Sequence, residues 1–527
     1  MSKNLKNISV VAGATVISRV LGLVREMVIA GVFGLQSGLG SAFVSAFTLP
    51  NLFRRLLGEG ALTAAFVPTM THELENRQRT GAFALLSKVA SWLALVTVVL
   101  VAVAMALLLC ADHWAALAQR AGLAAATADR LEVAAYVAVI LFPYMAFVCL
   151  AAAFSAACQV LGRFAEPALS PVWLNLTILG SLALGAWWAW DAPGRMNLLC
   201  VGVLAGGFLQ MAVPAGVLWR EGWRPTFDFR ADERVREITR LMAPTVIGSA
   251  IYLINVSLSR FIGLSLNDAA AQALNLANRV MELPIGIFTA AIATVVFPLI
   301  ARHAARGDWT GLTTDYHKGL RLVLVLNVPA AVGLAVLSEP IVRLLFQRGA
   351  FGAEDTQLLT PVLAAYALGL PFLSYTSVAL RGFYALKDTR TPVRAAGLSF
   401  VANIVLSLLL MRWYSTLGLA IASNLAVVAQ AWYLQHHLAR RHAGFSLGGE
   451  GGNIAKIAGA SALMGLAVWV GWRGLSVGGL PSAARDWAAV AGLIPAAAAF
   501  YGALLWLLRI EGRQELESLL QRFRRRA

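Results

Sequence analysis

The chain has 527 residues, of which 59% are apolar and 13% charged, with a formal net charge of +16 and a mean hydropathy of +0.71. A soluble globular chain carries ~45–50% apolar and ~25% charged residues, and a disordered one needs high charge with few aromatics, so both classes are excluded. The basic excess fits either nucleic-acid binding or membrane topology, and its distribution along the chain decides between them.

A membrane helix needs about 20 apolar residues. Apolar blocks of that kind fall at 8–33, 41–65, 87–111, 133–158, 168–190, 197–219, 238–266, 270–300, 320–338, 357–385, 393–412, 416–438, 455–472 and 487–508. Lys3 and Lys6 precede the first block as in a signal peptide. Arg19, Arg25 and Glu26 then follow without a small-residue cleavage site, so the block is expected to be a retained first helix. With the N-terminus inside, 29 of the 43 Lys and Arg fall on or at the edge of the inner side, 8 outside and 6 within spans. The positive-inside rule therefore accounts for the basicity, and no nucleic-acid partner is expected. The cysteines, Cys110, Cys149, Cys158 and Cys200, lie in or beside apolar blocks with no C-x-x-C spacing. Neither disulfides nor a zinc site is expected.

A weak internal repeat recurs at an offset of about 225–234 residues. Thr15-Val16-Ile17 matches Thr245-Val246-Ile247. Leu49-Pro50 followed by Phe66-Val67-Pro68 resembles Leu283-Pro284 followed by Phe297-Pro298. Pro143 echoes Pro371, Leu161 with Pro167 echoes Leu386 with Pro392, and Asn175 echoes Asn403. The offset spans six helices, an even number, so the halves share one orientation and a binding site is expected between them near the midplane. The predicted fold is an all-α integral membrane protein of fourteen transmembrane helices. It has two six-helix lobes in a parallel, pseudo-twofold repeat, residues 1–220 and 221–442, plus two C-terminal helices in an appended segment, 443–510. Residues 511–527 form a basic amphipathic tail with Leu516, Leu519, Leu520 and Phe523 at helical spacing, read as an anchor on the anionic inner leaflet.

Six arginines remain inside the membrane: Arg19, Arg25, Arg54, Arg55, Arg260 and Arg279. Each costs at least ~2.5–3.5 kcal/mol at the bilayer centre. Only Glu26, Glu59 and Glu282 accompany them. Arg55 and Glu59 are spaced i,i+4 and Arg279 and Glu282 i,i+3, so both can pair locally. Arg19 and Glu26 share a face but reach each other poorly. Arg260, towards the outer end of its span, is expected to snorkel. Three arginines stay uncompensated even if every acid pairs, and Arg19, Arg25 and Arg54 sit deepest. Local pairing and snorkelling throughout is the structural alternative. The functional one is a hydrated cationic cavity. The planar guanidinium donates two parallel hydrogen bonds and keeps its proton, so such a cavity suits a phosphate or diphosphate. Glycines and prolines in the early helices, Gly13 to Pro68, serve close packing and bending alike.

No G-x-x-x-x-G-K-[ST], H-E-x-x-H, nucleophile elbow or acidic metal cluster occurs. The loop acids Asp112, Asp129, Asp268 and Glu339 do not cluster, and His436, His437 and His442 beside Arg440 and Arg441 read as an inner-face anchor. No cofactor, no metal and no enzymatic activity are expected.

Ser18-Arg19-Val20-Leu21-Gly22-Leu23-Val24-Arg25-Glu26 resembles the opening signature of the MurJ (MviN) family. So do Leu49-Pro50-Asn51-Leu52-Phe53-Arg54-Arg55, Glu59-Gly60-Ala61 with Ala65-Phe66-Val67-Pro68, and Ala277-Asn278-Arg279-Val280-Met281-Glu282-Leu283-Pro284. The similarity spans essentially the whole chain. That family belongs to the superfamily of multidrug and oligosaccharidyl-lipid exporters. The resemblance implies two lobes in a V, a lipid-tail groove lined by the last two helices, and flipping of lipid II, the undecaprenyl-diphosphate-linked peptidoglycan precursor. It implies alternating access in the bacterial cytoplasmic membrane with both termini cytoplasmic. Its partners would be lipid II, membrane lipids and cell-wall synthases. It implies diphosphate binding by Arg19, Arg25, Arg54 and Arg279, supported by Glu26, Asn51, Arg55, Glu59 and Glu282. The chain departs from the family at Ser41 and near Ser259, where many members carry Asp. It also departs at Asn403 and Ser407, where a sodium site would need a carboxylate, so no sodium site is expected. The alternatives are an exporter of another polyprenyl-diphosphate glycan, of O-antigen or capsule type, and a non-transporting scaffold for cell-wall synthases.

Overall fold

The computed structural model describes residues 3–56, 62–110, 113, 124–188, 190–477 and 481–511. Among them every regular element is helical. The first run comprises α1 (Lys3–Phe33), α2 (Leu39–Leu56), α3 (Leu62–Leu109), α4 (Ala125–Leu141), α5 (Tyr144–Val160), α6 (Ala165–Trp187), α7 (Ala192–Arg220) and α8 (Glu233–Leu266). The second comprises α9 (Ala270–Pro284), α10 (Ala290–Ala305), α11 (Trp309–Val336), α12 (Ser338–Phe346), α13 (Ala353–Ala385), α14 (Arg390–Arg441), α15 (Gly451–Val477), α16 (Ser482–Trp487) and α17 (Ile494–Leu507). Helix is the form that satisfies every backbone group within one segment, which hydrocarbon demands.

Among the described residues eight helical stretches, one of them running from α16 through α17, are long and apolar enough to cross a membrane, and α4 with α5, bent by 43° at the Phe142-Pro143 break, makes up to a ninth. Against the fourteen spans read from hydropathy, length and composition thus support up to nine helices among the described residues, of which α14 covers two of those spans. The 52-residue α14 would reach ~78 Å if straight, at 1.5 Å per residue, far beyond a bilayer. It is broken at Ser415, where φ is +49°. Beyond that break Gly418 lies so close to the Leu410 carbonyl that a Cβ would sit 2.4 Å from its oxygen. Only glycine tolerates that approach. The chain folds back there, and Ser423 Oγ reaches Asn403 Oδ1 at 3.4 Å across the hairpin. A second break, at Gln78 (φ +54°), divides α3.

The chain forms two compact units, residues Met1–Gln272 and Ala273–Ala527, divided within α9. In the first unit α6 packs on α7 and α1, α5 on α3 and α7, and α8 on α2 and α3. In the second, α13 packs against both α11 and α14, and α15 lies against α11 and α17. Half of the apolar window of α13 is buried but only 11% of that of α3. α13 is therefore a central helix, whereas α3 turns Leu95, Val96, Val98, Val99 and Val103 outward, as suits hydrocarbon. Loop aspartates fix three helix starts by accepting a backbone N–H three residues on: Asp191 from Gly194, Asp232 from Val235 and Asp308 from Gly311. Basic residues of the connections are neutralised locally. Lys88 pairs with Asp232, Arg163 and Arg79 with Glu221, and Arg441 with Asp388.

Candidate functional site

In the first unit the site is built on α1. Arg25 and Glu26 are buried, at 9% and 5% exposure. Arg25 Nη2 contacts Glu26 Oε1 at 2.5 Å. Arg25 Nη1 donates to Asn175 Oδ1 at 3.1 Å, and Asn175 Nδ2 donates to the Ser18 carbonyl at 3.3 Å. Asn175 is itself buried on α6. One amide side chain therefore ties two points of α1 to α6 and fixes the guanidinium in place. Burial of an ion pair is tolerated only when the remaining polar groups are satisfied. Here Arg25 Nε is the exception, buried without a hydrogen bond among the described residues. The expectation that Arg25 stays uncompensated is corrected by the neighbouring carboxylate of Glu26. Arg19 behaves differently: it is exposed and has no ion-pair partner among the described residues. Its side chain is available to an anion.

Arg54 and Arg55 occupy the last turn of α2, past Pro50. Their side chains, and Glu59 altogether, lie outside the described residues. Asn51 is half-buried on the same helix. Arg260 has a side-chain neighbour within its own unit. It lies half-buried on α8, and its Nη1 is 3.4 Å from Thr48 Oγ1 on α2. Ser41, buried on α2, accepts a hydrogen bond from the Gln272 backbone N–H at 3.1 Å.

In the second unit α9 carries Arg279. Its Nη1 contacts Glu282 Oε2 at 2.7 Å, the i,i+3 pair that the spacing predicts. Asn278 Nδ2 reaches Glu282 Oε1 at 3.5 Å. These side chains are 31% and 40% exposed, against 11% and 7% for Arg25 and Glu26. The chain continues from α9 into a π-helical turn, Ile285–Thr289, just after Pro284. Such turns absorb a misfit in the helix and are frequent at functional sites. Asn403 and Ser407 are buried, and Asn403 Oδ1 lies 3.4 Å from the hydroxyls of both Ser407 and Ser423. Among the described residues, no three or more His, Cys, Asp or Glu gather to hold a metal.

The structure thus brings Arg25, Glu26 and Asn175 together in one unit and Arg279, Glu282 and Asn278 in the other. Sequence reasoning missed Asn175 as a site residue. Its one signal was its echo of Asn403 in the internal repeat. Chemically, each cluster presents a guanidinium held beside a carboxylate on a helix.

A sequence model described as "Lipid II flippase MurJ" matches residues 29–476. The chain is 31% identical to a probable lipid II flippase MurJ of Vibrio cholerae over 96% of each protein. It is 34% identical to one of Rhizobium meliloti over 80% of this chain and 78% of that one. Its fold resembles a solved lipid II flippase MurJ in an inward closed conformation, with a TM-score of 0.76 at 24% identity, over 94% of this chain and 99% of that one. An inward-facing multidrug transporter of the MATE family shares the architecture more distantly, with a TM-score of 0.63 at 13% identity, over 80% of this chain and 95% of that one. This multi-pass membrane protein, with arginine–carboxylate pairs in both of its units, belongs to the lipid II flippase MurJ family.

Proposed function

We propose that this chain flips lipid II from the inner to the outer leaflet of the bacterial cytoplasmic membrane by alternating access, with both termini cytoplasmic. The orientation rests on the Lys and Arg asymmetry of its connections. The observation that carries the reading is the contrast in charge. In a chain whose connections pair their charges, Arg19 stands exposed on α1 without an ion-pair partner among the described residues. Arg25 is held in one orientation by Glu26 and Asn175. Arg19, Arg25, Arg54 and Arg279 bind the diphosphate, and Glu26, Asn51, Arg55, Glu59 and Glu282 support them. Bound diphosphate neutralises the arginines, and neutralisation lowers the cost of carrying them through the bilayer. No group-transfer chemistry is required. Membrane potential, at ~2.3 kcal/mol per charge per 100 mV, returns the empty cationic form inward.

Sealed liposomes containing only this protein test the reading. Labelled lipid II is expected to cross, a phospholipid control is not, and Arg25→Ala and Arg279→Ala abolish the movement while the protein stays folded. Equal movement in the variants overturns the arginine assignment. No movement under any potential or ion gradient overturns the flippase reading. Activity unchanged when the potential is dissipated overturns the reset step alone.

A further inference from the structure

A second cationic site lies wholly within the second unit, at the end of the helices where Lys and Arg are scarce. A cavity of about 370 Å³ opens between α12, α13 and α15 and the start of α16. Three arginines line it: Arg343 from α12, Arg473 from α15 and Arg485 from α16. Two tryptophans hold them. Arg343 and Arg485 both stack on the buried Trp472 ring, at 5.7 and 5.2 Å, and Arg473 lies 5.3 Å from the Trp469 centroid. Both rings therefore carry guanidinium groups.

The acids nearby do not complete the balance. Glu339 contacts Arg343 at 2.9 Å, and the buried Asp486 lies 3.3 Å from Arg343 Nε and 3.9 Å from Arg485 Nε. Arg473 is exposed and has no acidic partner among the described residues. With three arginines against two acids, the cavity keeps one positive charge. In addition, Arg343 Nε, Arg485 Nε and Asp486 Oδ1 are buried there without a hydrogen bond among the described residues. Unsatisfied buried donors beside a cavity are costly unless something fills it. The cavity's rim meets an apolar face: Leu463, Leu466, Trp469 and Val470 of α15 are all exposed and lead up to Arg473. A charged head and a hydrocarbon chain would thus be accommodated on one surface.

We infer that this cavity binds the anionic phosphate headgroup of a lipid, which meets Arg473, with the lipid's hydrocarbon chain along α15. Two lipids carry that chemistry, a resident anionic glycerophospholipid and a polyprenyl diphosphate arriving at the release leaflet. Assignment of the cavity to the outer face rests on the orientation proposed above. Binding itself does not, so this inference and the flippase reading fail separately.

The test uses the full chain in neutral detergent, with binding of labelled phosphatidylglycerol measured by equilibrium retention. Arg473→Ala is expected to weaken binding about fivefold, the effect of one basic residue at a lipid headgroup, and Arg473→Lys to weaken it less. Arg412→Ala, which removes an exposed arginine outside the cavity, leaves it unchanged. Competition then names the source. Displacement of phosphatidylglycerol by an equal amount of polyprenyl diphosphate, lost in Arg473→Ala, assigns the site to the cargo. Resistance to it assigns the site to a resident lipid. Unaltered binding in Arg473→Ala, equal loss in Arg412→Ala, or inorganic phosphate binding as tightly as the lipid overturns the inference. Trp469→Leu provides a second variant that removes no charge pair, and its expected effect is weaker lipid retention with an unchanged unfolding temperature.

Discussion

Each unit holds an arginine–glutamate–asparagine cluster, and the two differ in how deeply they are set. In the first unit Arg25 and Glu26 are adjacent in sequence and buried, and Asn175 reaches the arginine from another helix. In the second, Arg279, Glu282 and Asn278 all come from α9, and the side chains of the ion pair remain 31% and 40% exposed. The same three side-chain types therefore do different work. A buried guanidinium beside a carboxylate is an architectural commitment, because losing one partner strands the other in a medium that cannot solvate it. An exposed pair within one helix is worth little to the fold and is free to exchange its carboxylate for another anion. The first cluster is a fixed cationic wall, and the second is an exchangeable contact.

The sharpest way to break this contrast is to remove each arginine in turn. Arg25→Ala leaves Glu26 buried and unpaired, and its expected cost is about 3–5 kcal/mol of stability together with loss of lipid II movement. Arg25→Lys is not expected to restore activity, since a single ammonium cannot serve Glu26 and Asn175 with the same planar geometry. Arg279→Ala is expected to abolish movement with a stability change below about 1 kcal/mol. Thermal unfolding in detergent measured beside liposome flipping separates the two cases. Equal destabilisation by both substitutions would remove the distinction between wall and contact.

The asparagines sharpen the same contrast at lower amplitude. Asn175→Ala removes a buried acceptor for Arg25 and a donor to the Ser18 carbonyl, with an expected cost of about 1–3 kcal/mol. Asn278→Ala loses a contact at 3.5 Å, the edge of hydrogen bonding, and is expected to stay within about 0.5 kcal/mol. The stability difference between these two variants is the measure of how far α6 fixes α1.

What could be read from the sequence follows from what is local. The Arg279–Glu282 pair is an i,i+3 spacing, and the helical class follows from the length of the apolar blocks. The break between the spans at 393–412 and 416–438 was also legible, because hydropathy dips there and a bilayer limits helix length. Contacts between distant segments were not. Asn175 lies 150 residues from Arg25, and Thr48 lies 212 from Arg260. An asparagine in an apolar block carries no mark of which helix it will face. The turn at Gln78 takes positive φ without a glycine, so the usual signal was missing. The cationic cavity near Trp472 was hidden for a related reason. Its arginines come from three separate helices and read in sequence as isolated outer-loop charges.

The smallest expected effect tests whether the contrast belongs to the membrane clusters or to the units as wholes. Both units start a helix with a loop aspartate whose carboxyl is held below its ordinary value of 3.8. At Asp308 the Gly311 N–H contributes most, followed by the hydrogen bond to His303. At Asp232 burial is the largest influence and opposes ionisation, but the hydrogen bonds from Lys88 and the Val235 N–H outweigh it. A depressed carboxyl contributes stability that is fully present above the unfolded pKa and is lost as pH falls through the folded one. Both carboxylates therefore stay ionised from pH 5 to 8, and both caps weaken together below about pH 4. Asp308→Asn keeps a good capping side chain without the charge. Its expected result is near-normal stability at neutral pH with a shallower loss of unfolding temperature in acid, measured by thermal scans from pH 7 to 3. A flipping defect of Arg279→Ala at pH 7 then cannot be traced to the caps of its unit, because the caps are fully ionised there. If Asp308→Asn instead abolished flipping at pH 7, the second unit as a whole would be the sensitive element, and the exchangeable role of Arg279 would lose its support.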